Sequence, residues 1–178
     1  MKPVMYAATG LLMPALLLAG ASVTASDVHD LPSPTSVLEA GLIDISGERI
    51  GTVTIKPLAT GLSVHIAVEG IAPGPHGMHL HQAGRCEIEQ SFATAGSHLA
   101  GEGHAHGSHA GDLPNLIADA SGNARTQTTV ESLSLTDIID SDGSALIIHA
   151  SGDDLQSSPG GGAGPRIACA AFTAGNHT

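Results

Sequence analysis

Residues 74–86 read Gly-Pro-His-Gly-Met-His-Leu-His-Gln-Ala-Gly-Arg-Cys, with His79 and His81 two positions apart. Side chains in an extended strand alternate between faces, so this pair sets two imidazoles on one surface. His76, an odd number of positions from both, faces elsewhere. Two same-face imidazoles are the start of a copper site, because Cu(II) favours nitrogen ligands in a tetragonal plane. Further ligand types follow in His98, His104, His106, His109, Asp112 and His149, a supply large enough for two metals.

The elements that must hold these residues read as strands. Leu62, Val64, Ile66 and Val68 alternate with Ser63, His65, Ala67 and Glu69, the pattern of a half-buried strand. Residues 124–131 alternate more weakly, and 50–55, 145–149 and 166–172 are further short strand candidates. Turn signals lie between them at Ser46-Gly47, Pro57, Ser121-Gly122-Asn123 and Asp142-Gly143. Beyond the N-terminal leader no segment sustains a helical period, so the expectation is an all-β antiparallel barrel or sandwich. Two stretches break the rhythm. Residues 86–114 are rich in Gly, His and Ala, and residues 150–165 contain Ser158-Pro159-Gly160-Gly161-Gly162. Long connections of this kind in a compact domain are commonly functional.

The chain starts Met1-Lys2, then an apolar run over residues 11–19 and a stretch of small residues, which is the layout of a secretory leader. Cleavage is expected after Val23-Thr24-Ala25, with Ala19-Gly20-Ala21 as the second choice. The run is too short for a membrane span and contains Pro14, and no Cys lies nearby to carry a lipid. Residues 1–25 are therefore the leader and 26–36 a polar, Pro-bearing flexible arm. A periplasmic or secreted location follows, with no membrane attachment once the leader is removed. In such an oxidising compartment Cys86 and Cys169, the two cysteines of the chain, are expected to form a disulfide. Neither lies in a Cys-x-x-Cys pair of the kind that binds zinc. The 178 residues carry six basic and 17 acidic side chains, a net charge of −11. Loss of Lys2 with the leader takes this to −12, and the absence of a basic patch argues against nucleic acid as a partner.

Five ordered segments then resemble one family, the copper/zinc superoxide dismutases in their bacterial exported form. They are Gly77-Met78-His79-Leu80-His81, Ala95-Gly96-Ser97-His98, His109-Ala110-Gly111-Asp112-Leu113-Pro114, Ile147-Ile148-His149 and Gly164-Pro165-Arg166-Ile167-Ala168-Cys169. The resemblance runs from about Leu38 to Phe172 and implies a domain over 37–175 with the eight-stranded Greek-key barrel and two long functional loops. It further implies copper on His79, His81, His98 and His149, and zinc on His98, His109, Asp112 and one more histidine. For that last ligand His106, followed by Gly107, looks more like the family motif, and His104 is the alternative. The His98–Asp112 segment is several residues shorter than in many relatives, and shortened loops also occur in members that have lost zinc.

By the same resemblance His98 bridges the two metals as an imidazolate, Asp153 links a copper histidine to a zinc histidine, and Arg166 guides the anion beside copper. His76 makes a structural hydrogen bond beneath the copper strand. Asp154 and the histidines at 29, 65 and 177 have no assigned part. The implied reaction is dismutation of superoxide to oxygen and hydrogen peroxide, by a monomer or homodimer. The alternative is a non-catalytic periplasmic copper-binding protein on the same fold, since function resides in the site and not in the fold. A structural zinc module does not account for the His79/His81 pair.

Overall fold

The structure, a computed structural model, describes residues 36–99 and 105–175. The leader and its cleavage sites, the arm up to residue 35, His29, His104 and His177 lie outside the described residues. Eight antiparallel strands form one sheet: β1 Leu38–Asp44, β2 Arg49–Pro57, β3 Leu62–Val68, β4 Gly74–His81, β5 Asp112–Ala118, β6 Ala124–Val130, β7 Ser144–His149 and β8 Arg166–Phe172. Their spatial order is β5-β4-β7-β8-β1-β2-β3-β6, and the two edge strands, β5 and β6, come back together to make a nearly closed barrel. The connections β3–β4 and β6–β7 cross between the two halves, as a Greek key requires. The all-β expectation holds. The only α-helix among the described residues is the single turn α1, Leu135–Ile138, capped by the Asp137 carboxylate on the Ser134 amide and hydroxyl.

Local chemistry explains the turns. Asp44, Asp119 and Asp140 each turn a side-chain oxygen onto amides two to four residues ahead, which tightens the β1–β2, β5–β6 and pre-β7 corners. Pro57, read from sequence as a turn, is the last residue of β2; the turn proper follows it and closes with the Leu58 amide on the Gly61 carbonyl. The long connection is likewise shorter than residues 86–114 suggest, because Asp112, Leu113 and Pro114 already belong to β5. β1 carries no strand signal that stands out in the sequence either, yet Leu38, Ala40 and Leu42 alternate inward along it.

The barrel core takes Leu42, Val53, Ile55, Leu62, Val64 and Leu80 among others, each excluded from solvent. A second, smaller cluster lies outside the barrel wall, where Phe92, Ala95, Ala145, Ile147 and Cys169 pack together. Two short 3₁₀ turns, Ile88–Gln90 and Ala93–Ala95, carry this part of the long connection back onto β7 and β8. Strand β4 is consequently buried on both faces: Met78 and Leu80 enter the core, while His79 and His81 lie beneath the loops. Cys86 and Cys169 are bonded, with Cα atoms 5.7 Å apart across 83 positions of sequence.

Candidate metal centre

His79 and His81 stand on the outer face of β4, and β7 beside it ends on His149. His98 comes from the long connection, where it is pinned to β4 rather than left to wander. Gln82 donates its amide to Ser97, and Leu99 donates to Leu80, so residues 97–99 run along β4 as a short extra strand with His81 opposite His98. His98 is then the central ring of the cluster, its centroid 4.0 Å from that of His79, 5.0 Å from His81, and 5.3 Å from both His106 and His109.

The hydrogen bonds decide which ring nitrogens are left for a metal. His81 Nδ1 faces the Gly96 carbonyl at 2.9 Å and His149 Nδ1 faces the Gly164 carbonyl at 2.9 Å. A carbonyl can only accept, so each Nδ1 carries the proton and each Nε2 is bare. His79 is turned the other way: its Nε2 donates to Asp153, and its Nδ1 is bare. His106 Nε2 donates to the same carboxylate at 2.9 Å. The result is four buried ring nitrogens without a hydrogen-bond partner, His79 Nδ1, His81 Nε2, His106 Nδ1 and His149 Nε2. Leaving such atoms unpaired costs about 1–3 kcal/mol each. Buried and unpaired, they are available as metal ligands, those of His79 and His81 in one group of donors and that of His106 in another.

Two overlapping donor sets result. One contains His79, His81 and His98, with His149 alongside at a centroid distance of 4.7 Å from His79. The other contains His98, His106, His109 and Asp112. The nitrogen-rich first set suits copper, and three imidazoles with a carboxylate suit zinc. His98 is in both. Its Nδ1 lies 2.7 Å from Asp112 Oδ1, on the side of the second set. Asp112 also accepts the Gly107 amide at 2.7 Å and the His109 amide at 3.0 Å. His79, His106 and Asp153 form a third close group, but its atoms already satisfy one another as hydrogen bonds.

Burial sets the charge state. It pushes the His79 imidazolium down to about 4 and that of His81 to about 2, and it lowers His98 and His149 as well. Burial works against the Asp153 carboxylate too, but the hydrogen bonds from His106 and His79 outweigh it and hold this group at about 2. At neutral pH His79, His81, His98 and His149 are therefore neutral imidazoles and Asp112 and Asp153 ionised carboxylates, the forms that bind metal.

A cavity of about 710 Å³ opens onto His81, His98 and His149, with Arg166 in its wall and Ser158 to Gly160 at its rim. Arg166 is the first residue of β8 and is held by two carbonyls of the long connection, Nη1 on Phe92 at 2.6 Å and Nη2 on Gly96 at 2.7 Å. His76 points away from the cluster. Its ring lies between the His149 carbonyl at 2.6 Å and the Ala72 carbonyl at 2.7 Å.

Residues 49–172 match the family model described as copper/zinc superoxide dismutase. The chain belongs to the copper/zinc superoxide dismutase family. This is an oxidoreductase family whose cofactors are copper and zinc, and the two donor sets fit both. A superoxide dismutase [Cu-Zn] of Deinococcus radiodurans is 34% identical over 90% of this chain and 95% of its own length. The superoxide dismutase-like protein YojM of Bacillus subtilis is 34% identical over 76% of this chain and 75% of its own. Among solved structures, a SOD-like protein from Bacillus subtilis superposes with a TM-score of 0.70 at 34% identity, covering 75% of this chain and 96% of that one. The Cu/Zn superoxide dismutase from Brucella abortus gives 0.64 at 29%, covering 76% and 98%.

The structure thus brings His79, His81, His98, His106, His109, Asp112, His149, Asp153 and Arg166 into one region of this superoxide dismutase fold. It leaves His65 on the outer face of β3, and Asp154 turned onto the amides of Gln156 and Ser157. Sequence reasoning missed two glycines and an asparagine that shape the site. At Gly161 the backbone has φ +61, and a Cβ there would collide with the Asp153 carboxylate. At Gly77, one position before Met78, a Cβ would press on Ala163 at 2.8 Å. Asn115 holds the backbone of Asp153.

Acid should undo the metal-free site. Between the unfolded histidine value, about 6.5, and the lowered folded values, the unfolded chain binds more protons than the folded one, so stability rises with pH. The contribution is complete above about pH 6.5 and is lost as pH falls toward about 4. Each tenfold difference in proton affinity between the folded and unfolded chain is worth about 1.4 kcal/mol. Urea midpoints of the metal-free protein are expected to fall steadily from pH 7 to pH 4.5. A flat profile over that range would contradict the buried, neutral histidines.

Proposed function

We propose that the protein is an exported superoxide dismutase, with copper on His79, His81, His98 and His149 and zinc on His98, His106, His109 and Asp112. The bare ring nitrogens carry this reading, since His79, His81, His106 and His149 each bury a ring nitrogen that has no hydrogen-bond partner. When bound, copper supplies the one-electron redox chemistry that takes an electron from one superoxide and returns it to a second. Arg166 supplies the positive charge in the cavity wall that draws the anion in, with its forked donors already aimed by Phe92 and Gly96. His98 is placed to move a proton at Nε2, the nitrogen turned toward Gly160 and the cavity, while Asp112 fixes Nδ1. The disulfide between Cys86 and Cys169 supports export to an oxidising compartment.

Superoxide decay measured with purified protein loaded with copper and zinc tests the reading. Rapid decay is expected; stoichiometric copper binding with no acceleration would instead establish the non-catalytic copper-binding alternative. Zinc content separates the ligands further. His106→Ala should lower zinc occupancy sharply while His104→Ala leaves it near the wild-type level, and equal, negligible effects would remove His106 from the set.

Ionic strength is a third test. Residues 150–165 contain no Lys or Arg, Asp153 is spent on two histidines, and Arg166 is the one cation among the described residues that line the cavity. With Lys2 lost alongside the leader, a chain of net charge −12 surrounds it. Steering by a charged cleft raises on-rates by about 10- to 1,000-fold and is screened by salt. Here the rate constant should stay flat or rise as salt screens the repulsive surface. A steep fall between low and physiological salt would mean that Lys56, Arg85 or a partner subunit supplies attraction.

A further inference from the structure

Asp153 reaches the two halves of the site from residues 150–165, a stretch with no regular secondary structure and a run of three glycines at 160–162. Something must hold its backbone still, and β5 does so through one side chain. Asn115 Nδ2 donates to the Asp153 carbonyl at 2.8 Å, and the Asp153 amide donates to Asn115 Oδ1 at 2.8 Å. An amide side chain makes this reciprocal pair because it has a donor and an acceptor on one planar group. Asn115 stands three positions after Asp112 on the same strand. The Leu155 amide adds a further bond, to Asp153 Oδ1 at 2.6 Å.

We infer that Asn115 is a positioning residue for the metal centre, acting on both metal sites through Asp153 and requiring neither metal to be present. The inference rests on the ligand assignment proposed above and deepens it. Anchoring by Asn115 places the carboxylate where it accepts from His79 Nε2 and from His106 Nε2, and that contact keeps both protons on the Nε2 atoms. The Nδ1 atoms of His79 and His106, one in each donor set, are thereby left bare. β5 thus contributes twice, through the Asp112 carboxylate directly and through Asn115 at one remove. The Asp154 amide, on the far side of the Asp153 carbonyl peptide, donates to the Gly161 carbonyl at 2.9 Å, but Asn115 is the side chain that holds both peptide groups of Asp153 to the barrel.

Asn115→Ala, Asp153→Asn and the double variant form the test, read by zinc competition against a chromophoric chelator and by the Cu(II) electron paramagnetic resonance spectrum. Outer partners of metal ligands are typically worth about 10- to 100-fold in affinity. Asn115→Ala is expected to weaken zinc binding by about tenfold and to shift the Cu(II) spectrum in the same direction as Asp153→Asn. The double variant should lose no more than Asp153→Asn alone, because both changes act through one carboxylate. Asn115→Asp keeps the shape and the acceptor but sets a carboxylate oxygen against the Asp153 carbonyl, so if alanine folds poorly this variant should still show a loss of zinc affinity of at least about tenfold, and wild-type affinity in it would overturn the inference. Wild-type zinc affinity and an unchanged spectrum in Asn115→Ala would overturn the inference, as would losses that simply add in the double variant. Wild-type protein that takes up neither metal would instead overturn the ligand assignment itself.

Discussion

Replacing His79 and His81 together by alanine is expected to abolish superoxide dismutation and to reduce copper affinity by more than about 10,000-fold. That figure takes the 100-fold typical of losing an outer partner, once for each ligand, as a lower bound. The barrel should survive the change, because the core-facing residues of β4 are Met78 and Leu80, while both histidines lie on the opposite face. Zinc should be less affected, since His98, His106, His109 and Asp112 are all retained. Some zinc loss is nevertheless expected, because His79→Ala removes one of the two histidines that donate to Asp153. His81→Ala alone does not touch that carboxylate, so it should remove copper with zinc intact. Metal analysis after dialysis and superoxide decay on the same samples check both parts. Full activity in the double variant would rule out copper on this strand.

Much of this arrangement is legible in the sequence. The period-two spacing of His79 and His81 needs only a strand, and the alternation of Leu62, Val64, Ile66 and Val68 gives β3 its full length. β5 is hidden by Pro114, which a central strand would not tolerate but an edge strand does. β1 is hidden by Ala40 and Gly41, which dilute an otherwise regular inward alternation. The ligand atoms are not legible at all. Which nitrogen of His81 or His149 is bare depends on the carbonyls of Gly96 and Gly164, each 15 positions away. A backbone carbonyl leaves no mark on sequence, and its position is set by how the loops fold over β4 and β7. Asn115 escapes notice for the same reason, as its partner lies 38 positions further along the chain.

Removal of the disulfide shows how far such loop contacts reach. Cross-linking over 83 positions restricts the unfolded chain by about 4.5 kcal/mol in the chain-entropy model. Cys86→Ser/Cys169→Ser is therefore expected to lower Tm by about 10–20 °C for a domain of this size. The functional consequence follows from what the tethered segment carries. Between Cys86 and His98 the backbone at Phe92 turns to φ 62, a left-handed conformation that costs a non-glycine residue about 1–2 kcal/mol. Complete burial of the Phe92 ring beside Cys169 and Ile147 offsets that cost. This strained turn delivers the Phe92 carbonyl, and a few residues later the Gly96 carbonyl, to Arg166; Gly96 also accepts from His81 Nδ1. Without the Cys86 anchor the segment can relax, and the guanidinium loses both of its carbonyl partners. The double serine variant should thus bind azide, a small anion competing for the Arg166 position, more weakly at its Cu(II) form, with copper stoichiometry retained. Non-reducing mass spectrometry of the wild type should show the chain lighter by two hydrogens. Alkylation of both thiols in native protein, or unchanged Tm and azide affinity in the variant, would show that Arg166 is held without the bond.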